Sequence, residues 1–229
     1  MGVILQPILG RLQREPGRQV AGYLRSQRTL GALCVPMCLL QTILAEPLFR
    51  LLLEPKWEPA IIAFQALSLM QGFYFSIAPS MACLKAQRRF HVLLAWQVVH
   101  LALSVPAYWA ATTLGGATGA AWVTALLWGV SAPIAVRLCV GMAPPVPFGQ
   151  PLAVFFRPWL RALPVFGGGY LAVRWLSGLG PLGDVLALAA VGPVVLAAAL
   201  VIARHTEPDV RSIVDRGTQW IKHLCARQP

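Results

Sequence analysis

Long apolar runs separated by short polar breaks organise this chain. Six stretches, at residues 30–53, 60–84, 92–113, 117–140, 162–179 and 185–203, are mostly apolar. Crossing a bilayer as a helix takes about 20 such residues. The fifth stretch is shorter and rich in glycine. None of the runs alternates apolar and polar residues with period two, as the strand of a membrane barrel would. Backbone in lipid must satisfy its own hydrogen bonds, so helix is the expected state. The pattern predicts an all-α membrane protein, a bundle of six transmembrane helices across 30–203.

The polar breaks carry charge unevenly. The segment 11–28 holds five arginines, 85–91 reads "KAQRRFH", 137–161 adds three arginines, and the tail from Arg204 adds five Lys/Arg. The alternate breaks are poor in positive charge, holding only Arg50, Lys56 and Arg174 of the 19 basic residues. Cytoplasmic loops concentrate Lys and Arg, so this alternation orients every span and predicts both termini in the cytoplasm. In "LLLEPKWEPAI", residues 51–61, the break becomes an outer loop, and Trp57 is expected as an interface anchor at headgroup depth.

Outside the bundle the pattern changes. Residues 1–29 read as the end of a preceding helix and a basic cytoplasmic loop, with a short surface helix within 11–28. In the tail, 204–229, Val210, Ile213, Val214, Ile221 and Leu224 recur at helical spacing, while Arg211, Asp215, Arg216 and Lys222 take other faces. That predicts an amphipathic helix on the inner leaflet. Pro36, Pro79, Pro106, Pro133, Pro164 and Pro193 place one proline inside each span. Proline removes a helix hydrogen bond and bends the axis; transmembrane helices also tolerate it in the absence of any motion.

Composition agrees with a membrane location. The chain is 57% hydrophobic and 12% charged, against about 25% charged in soluble domains. A net charge of +11 is compatible with nucleic acid, but the arginines fall in short groups between apolar runs, which argues against it. The five cysteines, Cys34, Cys38, Cys83, Cys139 and Cys225, show no CxxC and no metal-ligand spacing, and read as small apolar side chains. Residues 3–9 are too short an apolar run for a cleavable leader, and Gln6 breaks the myristoylation pattern that Gly2 would begin.

No catalytic constellation or cofactor motif stands out. The four histidines occur on separate elements without HExxH, and GxxxxGK[ST] is absent. The chain is therefore read as a non-enzyme without metal or cofactor. Gly167–Gly169 sit in an apolar stretch, where small residues let helices approach closely. Polar residues inside spans are costly and become candidates for a substrate path. Gln41, Gln65, Gln71, Gln97 and His100 qualify, and Gln97 and His100 share a helix face. Each also suits a hydrogen bond to a neighbouring helix. Arg174, deep in the fifth stretch, either meets an anionic substrate or snorkels to the outer surface.

Several stretches in order resemble one family. They are "QPILGRLQREPGR" (6–18), "ALCVPMCLLQTILAEPLFRLLLEPKWEPAIIAFQALSL" (32–69), "ACLKAQRRFHVLLAWQVV" (82–99) and "GGATGAAWVTAL" (115–126). Together they are similar to the polysaccharide transporter branch of the multidrug/oligosaccharidyl-lipid/polysaccharide flippases, over residues 3–140. Glu54 stands where that family usually has glycine before the loop tryptophan.

The resemblance implies one half of a two-bundle flippase, since such transporters are about twice this length. It implies export of lipid-linked oligosaccharide or polysaccharide repeat units across the bacterial cytoplasmic membrane, through a polar cavity between two bundles that opens to alternate sides. The implied partners are a lipid-linked glycan, membrane lipids, and a second bundle from a homodimer or an N-terminal half. The competing readings are a MATE-like drug or metabolite exporter and a non-transporting assembly subunit of polysaccharide synthesis.

Overall fold

A computed structural model describes residues 7, 9–12, 15–140, 147 and 149–212. Helix α1 spans Pro16–Leu52. Its proline at the first helical turn leaves no extra orphaned donor, because the first N–H groups have no intrahelical partner. Thirty-seven residues reach about 55 Å, well beyond the ~30 Å hydrocarbon core. The surplus lies at the start, where Arg18, Arg25 and Arg28 are exposed. α1 is thus unbroken across residues 29 and 30, where a basic loop was expected to give way to the first span. The reason is a buried stripe: Gln19, Tyr23 and Gln27 recur every four residues and pack inward with Val20 and Leu24.

After α1 the chain turns through a short 3₁₀ helix at Pro55–Trp57. Trp57 is exposed there, beside a Lys56–Glu54 ion pair of 2.6 Å. Helix α2, Ala60–Ala86, returns against α1. It ends in a Schellman motif: Arg89 N–H donates to the Leu84 carbonyl and Arg88 N–H to that of Lys85. Arg88 takes the left-handed position usually given to glycine, with φ 58°.

Helix α3, Phe90–Val140, doubles back at Gly116, whose φ of 57° and ψ of −141° lie outside the range of residues bearing a Cβ. The two arms run side by side. Tyr108 and Thr124 share a hydroxyl hydrogen bond of 2.9 Å, and the His100 and Trp128 rings lie 5.1 Å apart. A Cβ at Gly119 would overlap the Ala111 carbonyl, which permits this close fold.

Helix α4 covers Gly149–Ser177. Helix α5, Pro181–Leu186, passes through a π-helical turn at Ala187–Val191 into α6, Gly192–Thr206. The π turn sits immediately before Pro193, where a missing N–H would otherwise break the ladder. Residues 208–212 are helical again. Val210 is fully buried against Ala32 and Ala203, so the tail begins docked on α1. The rest of the expected amphipathic face, Ile213, Val214, Ile221 and Leu224, lies outside the described residues.

α1 is the hub, packed against α2 on one side and α4 and α6 on the other. One core joins α1 to α2, α3 and α4 near Tyr23, Leu84, Val136 and Phe155. A second fills the α1–α4–α6 seam around Val35, Leu39, Phe166 and Val195. The described residues contain no strand. Four helical segments are long and apolar enough to cross a membrane: α1, α2, α3 and the continuous run Pro181–Thr206. The expected span at 162–179 falls mostly on α4, which is not among the four. Arg161, Arg174, Pro164 and three consecutive glycines dilute its apolar character. Each of the six prolines expected inside a span does lie in a helical segment.

Candidate functional site

The α1–α2 face carries an open groove of about 570 Å³. Cys34, Met37, Cys38 and Gln41 contribute from α1, and Phe64, Leu67, Ser68, Gln71 and Phe75 from α2. Its residues repeat at three- and four-residue spacing on each helix, which is what brings 34, 38 and 41 to one wall and 64, 68, 71 and 75 to the other. Gln41 is exposed and Gln71 half-buried. Ser68 is spoken for, donating to the Phe64 carbonyl at 2.8 Å. The groove therefore presents two primary amides, with donors and acceptors, in walls of sulfur, aliphatic and aromatic atoms. Cys34 and Cys38, read from the sequence as small apolar side chains, belong to this groove; Cys38 is buried.

Behind the groove stands Trp159 of α4. Its ring stacks on Phe73 with centroids 4.5 Å apart and fits against Gly72, where a Cβ would come within 2.8 Å of the indole. Gly72 thus sets how near α4 approaches α2. Gly169 does the same for α4 and α6, packed beneath Val195, whereas Gly167 and Gly168 have open space.

The other expected path residues are dispersed. Gln65 donates its amide to the Thr42 carbonyl at 3.2 Å and so ties α2 to α1. Gln97 is exposed, away from the groove. His100 packs among Trp96 and Trp128 with its Nε2 buried and without a hydrogen-bond partner. Gln97 and His100 share a helix but do not form one site. Arg174 is exposed in the last turn of α4, where its charge suits the carbonyl end of the helix.

Two polar assemblies were not anticipated. The first is a buried network between α1, α2 and α3. Tyr23 and Ser80 share a hydroxyl hydrogen bond of 2.7 Å, Gln27 donates to the Ser76 carbonyl at 2.7 Å, and the Cys139 thiol donates to the Ser80 carbonyl at 3.1 Å. Gln19 donates to the Leu9 carbonyl at 2.8 Å. The four-residue spacing of Gln19, Tyr23 and Gln27, and of Ser76 and Ser80, is the signal that would have found it. The second is a cleft between α1, α4 and the end of α6, holding Arg28, Arg157, Arg161 and Glu207. No sequence spacing announces it, because it draws on three distant segments.

Length, apolar character and helix packing define an all-α, membrane-embedded protein. No family model matches the chain, and neither curated proteins nor solved structures give a match.

Proposed function

We propose that the chain is one bundle of a flippase that moves lipid-linked oligosaccharide or polysaccharide repeat units across the bacterial cytoplasmic membrane. The observation that carries the reading is the α1–α2 groove, where Gln41 and Gln71 face a common space. An amide facing hydrocarbon without a partner is expensive. A face that keeps two of them suits a hydrated path closed by a second bundle. Sugar hydroxyls would exchange hydrogen bonds with these amides as the headgroup passes.

Further support comes from the turn at Gly116 and the helical prolines. Counting the arms of α3 separately, and α4 as a span, gives six crossings with the arginine-rich turns on the cytoplasmic side. Bent helices and a hub helix suit a bundle that rocks against its partner around a fixed groove.

The test is a strain lacking this chain. Lipid-linked glycan should build up on the cytoplasmic leaflet, and the build-up should clear when the chain is restored together with its second bundle. Normal surface polysaccharide in the deletion strain, with altered resistance to amphipathic drugs, would replace the flippase by the exporter reading. Normal polysaccharide with no export defect would overturn both.

A further inference from the structure

Arginine repels arginine, yet three line one small cavity at the arginine-rich end of the bundle. Arg28 projects from α1, and Arg157 and Arg161, one helical turn apart, from α4. Thr206, Glu207 and Pro208 close the other side, and the space is about 140 Å³. Arg161 is satisfied by Glu207 at 2.8 Å. Arg28 and Arg157 make no ion pair or side-chain hydrogen bond with any described residue. Three guanidinium groups against one carboxylate leave the cavity with a surplus of two positive charges.

Neighbouring contacts hold this arrangement in place. Arg25, one turn before Arg28, pairs with Asp209 through its Nε at 2.7 Å. The two bridges, Arg25–Asp209 and Arg161–Glu207, clamp the chain after α6 onto α1 and α4. The clamp neutralises two arginines and leaves Arg28 and Arg157 between them without a compensating carboxylate among the described residues. Arg28 and Pro208 also line a wider cleft of about 590 Å³ with Val20, Ala21, Leu24 and Gln150. The charged cavity thus adjoins a larger space in which Val20, Ala21 and Leu24 form an apolar strip beside the Arg25–Asp209 bridge and Gln150.

From this geometry we infer that the cleft is a binding site for the phosphate of an anionic phospholipid headgroup. Guanidinium groups match phosphate oxygens in planar, paired hydrogen bonds. Basic pockets between helices near a membrane surface are suited to such headgroups. The phosphate sits between Arg28 and Arg157, Arg161 stays with Glu207, and the glycerol end occupies the wider cleft. The inference needs only that the protein is membrane-embedded, and it stands apart from the flippase reading.

The experiment uses the full chain in nanodiscs of phosphatidylcholine, with phosphatidylglycerol added in steps. Two readouts are followed: thermal stability and quenching by a labelled phosphatidylglycerol. The native chain should gain stability and quenching saturably. The double variant Arg28→Gln, Arg157→Gln should lose about tenfold in apparent affinity, and the control Arg18→Gln, which breaks the exposed bridge to Glu15, should lose none. The charge-keeping double variant Arg28→Lys, Arg157→Lys should recover part of the lost affinity, a rescue that a misfolded variant cannot mimic. Equal affinity of the Gln double variant and the control overturns the site, as does a Lys double variant that binds no better than the Gln one. Inorganic phosphate protecting the chain as fully as the lipid would assign the cavity to a free anion and overturn the lipid assignment.

Discussion

The phenolic hydroxyl of Tyr23 lies 2.7 Å from Ser80 Oγ, joining α1 to α2 at a fully buried point. The two residues do not depend on each other equally. Ser80 Oγ also reaches the Ser76 carbonyl at 3.2 Å, whereas among the described residues the Tyr23 hydroxyl has, besides Ser80, only the weakly bonding thiol of Cys139. An orphaned buried hydroxyl costs about 1–3 kcal/mol, and a lost but non-orphaning bond about 1 kcal/mol. Ser80→Ala should therefore lower stability more than Tyr23→Phe. Denaturation of both single variants and the double variant in micelles checks this; equal losses would reject the asymmetry.

Gln41 and Gln71 should separate from Gln65. The first two face the groove without a protein partner, and Gln65 holds the Thr42 carbonyl. Gln41→Ala and Gln71→Ala should each lower transport about tenfold, equivalent to about 1.4 kcal/mol, at unchanged stability. Gln65→Ala should lower stability by about 0.6 kcal/mol, the scale of a helix–helix hydrogen bond in a membrane, with transport following protein level. Glycan export and melting temperature measured on the same three variants decide it.

Gly72 should tolerate no side chain. A methyl there meets the indole of Trp159, which is itself pinned by stacking on Phe73. Gly72→Ala should cost about 1–3 kcal/mol, as overpacking does. Gly167→Ala, with nothing within 4 Å of the new methyl, should be neutral or gain slightly from helix propensity. A thermal melt of the pair gives the comparison.

Arg88 offers a stabilising change. Its left-handed backbone ends α2 without glycine, at a strain of about 1–2 kcal/mol for an L-residue. Arg88→Gly should recover about 1 kcal/mol in chemical denaturation. It also removes one positive charge from the 85–91 turn, so a reporter fused nearby tests whether orientation survives on Lys85 and Arg89 alone.

His100 should behave as an aromatic spacer. Its ring packs on Trp128 and its buried Nε2 has no hydrogen-bond partner. His100→Phe removes that orphaned atom and keeps the ring, so stability should hold or rise. His100→Ala should cost about 1 kcal/mol, the scale of a lost aromatic pair, because the half-buried ring leaves its contact with Trp128. Transport unaffected by His100→Phe would place His100 outside the path.

The sequence by itself determined the helical, membrane-embedded character of this protein, because burial in lipid imposes length and apolarity on each segment separately. The same local logic marked the turns around Trp57 and at 85–91, and the prolines inside helices. Tertiary structure alone decided which polar residues meet. Gln41 and Gln71 lie on different helices, and only the way α1 and α2 pack puts both on one groove while Gln65 is used up between them. Likewise, α1 continues through Arg25 and Arg28 because Gln19, Tyr23 and Gln27 find partners that are 10 to 57 positions away. Side-chain cost in lipid is a property of one position, but a hydrogen bond or a charge cluster belongs to two or three helices at once.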